Sequence, residues 1–437
     1  MLFLFLKFNS MKNIGKVLMV LSALIFACST GEDDNTDNSN NGNNNQNQVT
    51  SITVITEDVV LLDQTPEIEI KVFSNRSEDL TRESVIYVNG VKIDGNTYVP
   101  SVEANYEVYA EYGDLTSPVS NVDVRVIGAV SLSFTNSGVP RNETITFKAV
   151  DDLGNEILKN VSYYVDDVAL ESNTFTTDEV GFYNVYATYN SNYKGVLTSE
   201  TKPLKVAFSQ KVLVEDYTGA WCGYCPRIAY KLAKAEELNP KVIGIGIHQG
   251  DNMQYSNISA LINNFGITGF PTAIVNRKSN WAEATLPWEG PFSGLDNKTS
   301  GASNLGISIA TSIAGSSLNV SIDVEVLTDF TGSKLVAYLL EDDNKAAQAN
   351  YYNSDSSSPW YNTGNPIPNF VHDNVLIGRF TNDFGDTINF NDNTFNFSSS
   401  ITLPNSLLDN KANLEIVAFV VNSSGQVINV EHAHLID

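Results

Sequence analysis

The chain has 437 residues, 42% of them hydrophobic, and carries 26 Lys and Arg against 51 Asp and Glu. The resulting formal charge of −25, with no basic cluster, would repel a phosphate backbone, so we expect no nucleic-acid partner. The length predicts about three or four domains. Frequent Val, Thr and Tyr with only 18% charged residues favour strands over helices.

The N-terminus has the pattern of a signal peptide. Lys7, Lys12 and Lys16 precede the apolar run 17–27, which is too short to span a bilayer. The run ends in a small residue directly before Cys28, which resembles the lipobox of bacterial lipoproteins, whose cysteine carries the lipid. We predict a signal peptide at 1–27 and lipid attachment at Cys28. An ordinary secretory signal followed by a chance cysteine is the alternative.

Residues 28–49 are rich in Asn and almost without apolar side chains, so we predict a disordered tether. The acidic residues 32–34 resemble the surface-export signal of Bacteroidetes lipoproteins. We therefore expect an outer-membrane, lipid-anchored protein exposed at the cell surface, with the periplasmic face as the alternative.

The next segment repeats itself. Blocks 87–90, 96–98 and 106–110 match blocks 164–167, 173–175 and 183–187, all at an offset of 77 residues. Apolar and polar residues alternate with period 2 between turn residues, which is typical of half-buried strands. A unit of this length with about seven short strands is typical of a small Greek-key sandwich. We predict two Ig-like β-sandwiches, at 50–127 and 128–207.

From residue 208 the pattern changes to alternating strands and helices. We predict strands at 211–217 and 241–248, a third strand within the run 266–275, and helices from 222 to 238 and from 254 to 265. This βαβαβ order predicts an α/β domain at 208–304.

The two remaining cysteines are spaced for redox chemistry. Placing Cys222 at a helix start puts its sulfur near unpaired N–H groups and the positive end of the dipole, which stabilises the thiolate. Cys225 lies one turn further, close enough to form a disulfide and resolve a mixed disulfide. We expect Cys222 to attack and Cys225 to resolve, with no cofactor.

The sequence Trp-Cys-Gly-Tyr-Cys at 221–225, followed by Gly-Phe-Pro-Thr at 269–272, resembles the thioredoxin superfamily. The resemblance implies that Pro271 is cis and packs opposite the cysteines. It implies the catalytic residues Cys222, Cys225, Pro271 and Asp216, with Glu215 as the competing acid. The implied substrate-binding residues are Trp221, Tyr224, Phe270 and Thr272. The last strands and helix of that fold are hard to place in 276–304, so the C-terminal region is a candidate to complete the sheet.

Two alternatives apply to the cysteine pair. A zinc site would need two more ligands, and none of the four histidines lies beside the cysteines in sequence. His432 and His434 could share one face of a strand but lack a carboxylate partner, and His248 is interpreted as a capping or packing residue. We therefore predict no metal site. An inert structural disulfide remains the other alternative.

Strand patterns return at 320–326, 335–339 and 414–420, which predicts a C-terminal β-sandwich at 305–437. Between them, residues 349–374 form a Tyr-, Asn- and Pro-rich loop. The plan over about 208–437 resembles the 28-kDa outer-membrane-protein-related family of Bacteroidetes. That resemblance implies a lipid-anchored globular protein, but it implies no particular biochemical activity.

The predicted fold class is multi-domain and mainly β: two Ig-like β-sandwiches, a thioredoxin-like α/β domain and a C-terminal β-sandwich. The predicted function is thiol–disulfide exchange on exported proteins, as an oxidoreductase or isomerase held to the membrane by the lipid at Cys28. The alternative is a surface binding or adhesion lipoprotein in which residues 222 and 225 form an inert disulfide.

Overall fold

The protein is described by a computed structural model that covers residues 48–64, 66–135 and 138–435. The predicted signal peptide, its lipid-attachment residue Cys28 and nearly all of the tether lie outside the described residues. No helix within those three ranges is both long and apolar enough to cross a membrane.

The first repeat is made of short strands. They are β1 (Ile52–Ile55), β2 (Val59–Leu61), β3 (Ile68–Glu69), β4 (Lys71–Ser74), β5 (Val85–Val88), β6 (Val91–Lys92), β7 (Thr97–Tyr98), β8 (Ala104–Tyr112), β9 (Leu115–Thr116) and β10 (Ser120–Arg125). Strand β1 pairs antiparallel with β4, and β5 pairs antiparallel with β6 and β8. The β5–β6 hairpin turns at Asn89 and Gly90, both at positive φ, where a side chain larger than Asn is disfavoured.

The second repeat follows the same order. Its strands are β11 (Val130–Ser133), β12 (Val139–Pro140), β13 (Ile145–Thr146), β14 (Lys148–Asp151), β15 (Val161–Val165), β16 (Val168–Ala169), β17 (Thr174–Phe175), β18 (Gly181–Ser191), β19 (Gly195–Thr198) and β20 (Lys202–Ser209). Strands β14, β16 and β17 begin 77 residues after β4, β6 and β7. One sheet has the order β12-β20-β18-β15-β16, and β11 pairs with β14 outside it. The prediction of a mainly β chain is confirmed.

Strands and helices then alternate, as predicted. The elements are β21 (Val212–Thr218), α1 (Pro226–Leu238), β22 (Val242–His248), α2 (Ile258–Phe265), β23 (Thr272–Val275), β24 (Ser279–Asn280), a 3₁₀ helix (Ala282–Thr285) and α3 (Ser293–Thr299). Helix α1 starts at a proline and buries Ile228, Leu232 and Ala235 at helical spacing. Helix α2 begins four residues later than predicted, because Gln254 and Tyr255 donate N–H groups to Asp251 and His248 in turns.

The strands of this unit have the order β24-β23-β21-β22. Strand β22 lies parallel to β21, and β23 lies antiparallel to it. Residues 276–304, in which we could not place elements from sequence, supply β24 and α3.

The C-terminal region contains the remaining elements. They are β25 (Ala302–Ser303), β26 (Leu305–Ala314), β27 (Ser317–Val326), β28 (Lys334–Glu341), β29 (Asn344–Gln348), β30 (Ile367–His372), β31 (Val375–Arg379), β32 (Asp386–Thr387), β33 (Thr394–Thr402), α4 (Asn405–Leu408), a 3₁₀ helix (Lys411–Asn413), β34 (Leu414–Val421) and β35 (Val427–His434).

The sheet does not end at the predicted boundary of 304/305. Beyond β22 it continues through β31, β28, β34 and β35, so the α/β unit and half of the predicted sandwich share one sheet. Strand β34 is buried along its whole length. Its residues Ile416 and Ala418 pack toward the second sheet, β26-β27-β33, whereas Val417 and Phe419 pack with β22 and α2. A strand covered on both faces joins the two regions into a single core.

Candidate functional site

The cysteine pair lies in the turn that leads from β21 into α1. Cys222 and Cys225 form a disulfide with their Cα atoms 5.4 Å apart, and their residues are 4% and 2% exposed. Cys225 caps the helix, which starts at Pro226. The predicted helix start at Cys222 is therefore wrong by four residues, because the backbone at 222–225 forms a tight turn first, with the Cys225 N–H donating to the Cys222 carbonyl.

Trp221 connects this turn to the loop before β23. Its indole N–H donates to the Gln249 carbonyl at 2.6 Å, and its ring packs on Phe270 with centroids 5.7 Å apart. Gly219 leaves the space for the ring, since a Cβ there would lie 2.7 Å from the indole nitrogen. The Phe270–Pro271 peptide bond is cis.

The Thr272 hydroxyl donates to the Gly269 carbonyl within the same loop. Its side chain therefore holds the loop before β23 together.

The segment after β29 covers the other side of the turn. The Gln348 side chain donates to the Cys222 carbonyl at 2.9 Å, and the Tyr351 N–H donates to the Gly223 carbonyl at 2.9 Å. A Cβ at Gly223 would lie 2.3 Å from the Tyr351 ring, so glycine is needed there. Tyr224 meets Tyr351 edge to face at 5.0 Å.

The sequence does not connect Gln348 or Tyr351 with the cysteines, because more than 120 residues separate them. The Tyr- and Pro-rich composition of the loop 349–374 is a signal for Tyr351, but Gln348 lies just before that loop.

A cavity of about 370 Å³ lies behind Cys225. Its walls include Asp216, Glu236, His248 and His372. Asp216 is buried and one of its carboxylate oxygens has no hydrogen-bond partner, and burial raises its pKa well above the usual range. Burial also raises the pKa of Glu236 to about 7 and lowers the pKa of His372 to about 4. The cavity thus gathers groups whose proton affinity burial has altered, which is typical of functional sites.

The structure separates the two candidate acids. The Glu215 side chain lies on the opposite face of β21 and forms a buried ion pair with Arg277 at 2.7 Å. Asp216, and not Glu215, lines the cavity shared with Cys225. Only the structure could decide this, because neighbouring residues of a strand point to opposite faces.

The four histidines fall into two pairs. His248 contacts Asp251 at 2.8 Å, and its ring lies 5.1 Å from that of His372 beside the cavity. His432 and His434 lie on β35, with ring centroids 5.9 Å apart. The carboxylate partner absent from the sequence pattern is Glu415, which lies opposite His434 on β34.

The C-terminal part of the chain is similar to a known family. Residues 258–436 match the family of outer membrane protein Omp28. The predicted resemblance is confirmed for this part of the chain. The Omp28 match includes Pro271 but begins after the cysteines, so it does not cover Cys222, Cys225 or Asp216. No curated protein matches the chain.

Three solved structures are similar to parts of the chain. HBP35 of Porphyromonas gingivalis is 21% identical, covers 52% of this chain and 76% of its own, and has a TM-score of 0.42. A domain of the outer membrane lipoprotein Omp28 from Porphyromonas gingivalis is 17% identical, covers 30% and 88%, and has a TM-score of 0.20. Fibronectin(III)-like modules of Clostridium thermocellum CbhA are 17% identical, cover 36% and 92%, and have a TM-score of 0.18.

Proposed function

We propose that the chain is a lipid-anchored outer-membrane protein that exchanges thiols and disulfides with exported proteins. One observation carries the proposal: the Cys222–Cys225 disulfide lies in the turn directly before a helix, and Cys225 lines a cavity with Asp216, one of whose carboxylate oxygens has no hydrogen-bond partner. A disulfide that served only stability would not need a buried acid beside it.

We further propose that residues 208–304 are a thioredoxin-like domain. The element order β21-α1-β22-α2-β23-β24-α3 and the sheet order β24-β23-β21-β22 support this. Two further features support it: Cys225 directly precedes the first helix, and the Phe270–Pro271 bond directly before β23 is cis.

The exchange runs in two steps. The Cys222 thiolate of the reduced protein attacks one sulfur of a substrate disulfide, which forms a mixed disulfide and releases the other substrate sulfur as a thiolate. Cys225 then attacks the sulfur of Cys222 and releases the second substrate thiol. The substrate gains two electrons, and the protein ends as the Cys222–Cys225 disulfide. The positive end of the α1 dipole, at Pro226 directly after Cys225, favours the thiolate form of Cys222.

Cys225 must lose its proton before the second step. Asp216 lines the cavity that Cys225 also lines, so its carboxylate can receive this proton through water held there. Burial raises the pKa of Asp216 well above the usual range, which makes it a better proton acceptor than an exposed aspartate.

The substrate is proposed to be an unfolded or flexible polypeptide. Trp221 and Tyr224 are 52% and 55% exposed beside the disulfide, although aromatic residues of this size are usually buried. We propose that these rings, with Phe270 and Thr272, contact the polypeptide around its disulfide. Attachment through Cys28 at the cell surface is proposed from the sequence, with the periplasmic face as the alternative.

The comparisons favour a second function, that of a surface binding or adhesion lipoprotein with an inert structural disulfide. The Omp28 match begins after the cysteines, and the family is named for its place in the membrane and not for an activity. The near-complete burial of both cysteines also fits a structural role.

A trapping experiment separates the two functions. Replacing Cys225 by Ser leaves Cys222 able to attack but removes the resolving thiol, so mixed disulfides with natural partners should accumulate in the native cell envelope. They should disappear on reduction and in the matched variant Cys222→Ser. If C225S forms no such adducts, the exchange function is wrong and the binding function stands.

A further inference from the structure

The last two strands of the large sheet, β34 and the edge strand β35, bring three possible metal ligands together away from the cysteines. Glu415 lies directly opposite His434 in the antiparallel pairing of β34 and β35. His432 lies two residues before His434, so both imidazoles stand on the same face of β35. Rigid paired strands therefore hold all three side chains on one side of the sheet.

The three side chains are already close to the spacing that a metal ion needs. Glu415 Oε1 is in hydrogen-bond contact with His432 Nδ1 and lies 3.6 Å from His434 Nε2. One ligand atom from each residue fits within 4.8 Å of the other two. Ligands bound to Zn²⁺ at about 2.0–2.2 Å lie about 3.4 Å from one another in a tetrahedron. Small side-chain rotations would meet this requirement.

The groups around the three ligands also suit a metal site. His434 Nδ1, the nitrogen that faces away from Glu415, lies 4.0 Å from Asp342 Oδ2. A carboxylate on the second ring nitrogen is the usual partner of a metal-bound histidine, because it fixes the ring orientation. The nearby cation Lys211 pairs with Glu431 instead. Among the described residues, the ion pairs of Glu415 are with the two histidines only.

The site is anchored on one side and open on the other. The side chain of Glu415 is 4% exposed, whereas those of His432 and His434 are 33% and 57% exposed. An ion could enter from solvent and bind a carboxylate that the sheet already orients. Two imidazoles and one carboxylate match the preference of Zn²⁺ for nitrogen and oxygen ligands.

We propose that Glu415, His432 and His434 bind one Zn²⁺ ion, with water in the remaining position. Asp342 acts as a positioning residue that orients His434. The site is independent of the proposed exchange function, because none of its ligands lines the cavity behind Cys225.

The test is a Zn²⁺ titration of the full chain by calorimetry, with the Cys222–Cys225 disulfide kept oxidised so that the cysteines cannot bind the metal. We expect one ion per chain. X-ray absorption of the loaded protein should report two imidazole ligands. His434→Asn, at an exposed position that does not threaten folding, should weaken binding at least about tenfold.

Glu325→Gln serves as the matched control, because it removes an exposed carboxylate from another strand of the C-terminal region and should leave Zn²⁺ affinity unchanged. Asp342→Asn should weaken binding less than H434N. The proposal is overturned if the wild-type chain takes up no Zn²⁺, or if H434N and the double variant H432N/H434N bind it as tightly as the wild type.

Discussion

The second repeat and the region from 208 to 437 both bury β-strands. Among the described residues of these two regions, only the later one contains buried ionisable groups with a polar atom that lacks a hydrogen-bond partner. In the repeat, the buried carboxylate of Asp151 accepts N–H groups from Leu153 and Asn155 at 2.9 and 2.8 Å and so stabilises its own turn. In the later region, Asp216 and His372 each bury a polar atom that has no hydrogen-bond partner.

The unpartnered buried atoms of Asp216 and His372 do not contribute to folding stability. A buried polar atom without a partner costs about 1–3 kcal/mol, so selection for stability alone would remove it. Asp216 and His372 both line the cavity behind Cys225, whereas other buried unpartnered groups of this region, such as Trp281 and Ser333, do not. Within the described residues of the second repeat, no buried side-chain nitrogen or oxygen lacks a hydrogen-bond partner.

We expect the largest loss of folding stability from breaking the buried ion pair of Arg277 and Glu215. Arg277 and Glu215 are 1% and 0% exposed, and Arg277 also donates to the Asp383 carbonyl at 2.7 Å. Arg277→Met should destabilise the protein by about 3–5 kcal/mol, because it leaves the Glu215 charge buried without a partner. Chemical denaturation measures this free energy of unfolding.

The matched control is Lys148→Met in the second repeat. Lys148 pairs with Glu156 at 3.0 Å, but the two side chains are 55% and 39% exposed. Its loss should cost less than about 1 kcal/mol. Equal costs for R277M and K148M would remove the contrast between the two regions.

Asp216→Asn tests the proposed proton acceptor. We expect the rate of disulfide exchange to fall about 100-fold, because Asn cannot accept the Cys225 proton. The alkylation rate of reduced Cys222 should not change, which distinguishes this effect from a general disturbance of the turn. An exchange rate equal to that of the wild type would contradict the role of Asp216.

We expect the folding stability of the protein to depend on pH through His372. Burial lowers its pKa from 6.5 to about 4 in the folded state, so between these values the unfolded chain binds more protons. The contribution of His372 to stability is therefore full above pH 6.5 and decreases as the pH falls toward 4.

We expect His372 to remove about 2 kcal/mol of stability over this interval. His372→Phe keeps ring packing against Phe370, whose ring lies 4.8 Å away, but cannot take up a proton. The variant should lose less stability than the wild type between pH 6.5 and 4 in denaturant titrations. Parallel curves for the two proteins would show that His372 does not titrate as its burial predicts.

We expect the smallest effect, a change in KM, from replacing an exposed aromatic residue beside the disulfide. Trp221→Ala should raise the KM for a disulfide-containing polypeptide several-fold, or about 1 kcal/mol, with little change in kcat. Phe182→Ala is the control, since Phe182 is 62% exposed in the second repeat and should have no effect. The same KM for W221A and the wild type would place the substrate elsewhere.

The sequence predicted local features well. The repeat offset located equivalent strands, and the spacing of Ile228, Leu232 and Ala235 located α1. These features depend on residues that are near one another in the chain or related by a fixed offset.

Contacts between distant segments could not be predicted. The continuous apolar run of β34 indicates a buried strand but not that it joins the sheet of β22 through β28 and β31. For the same reason Glu415 was not connected to His432 and His434, and Gln348 was not connected to Cys222. Each of these contacts depends on strand register or loop path, which the pattern of a single strand does not contain.

Reduction of insulin disulfides measures whether the Cys222–Cys225 pair exchanges with the disulfides of a polypeptide. The reduced full chain should cleave them and become oxidised in equal amount, while Cys222→Ser should be inactive. If the reduced wild-type chain leaves insulin intact, and Cys222 does not react with a thiol probe at neutral pH, the disulfide is structural and the proposed exchange function is wrong.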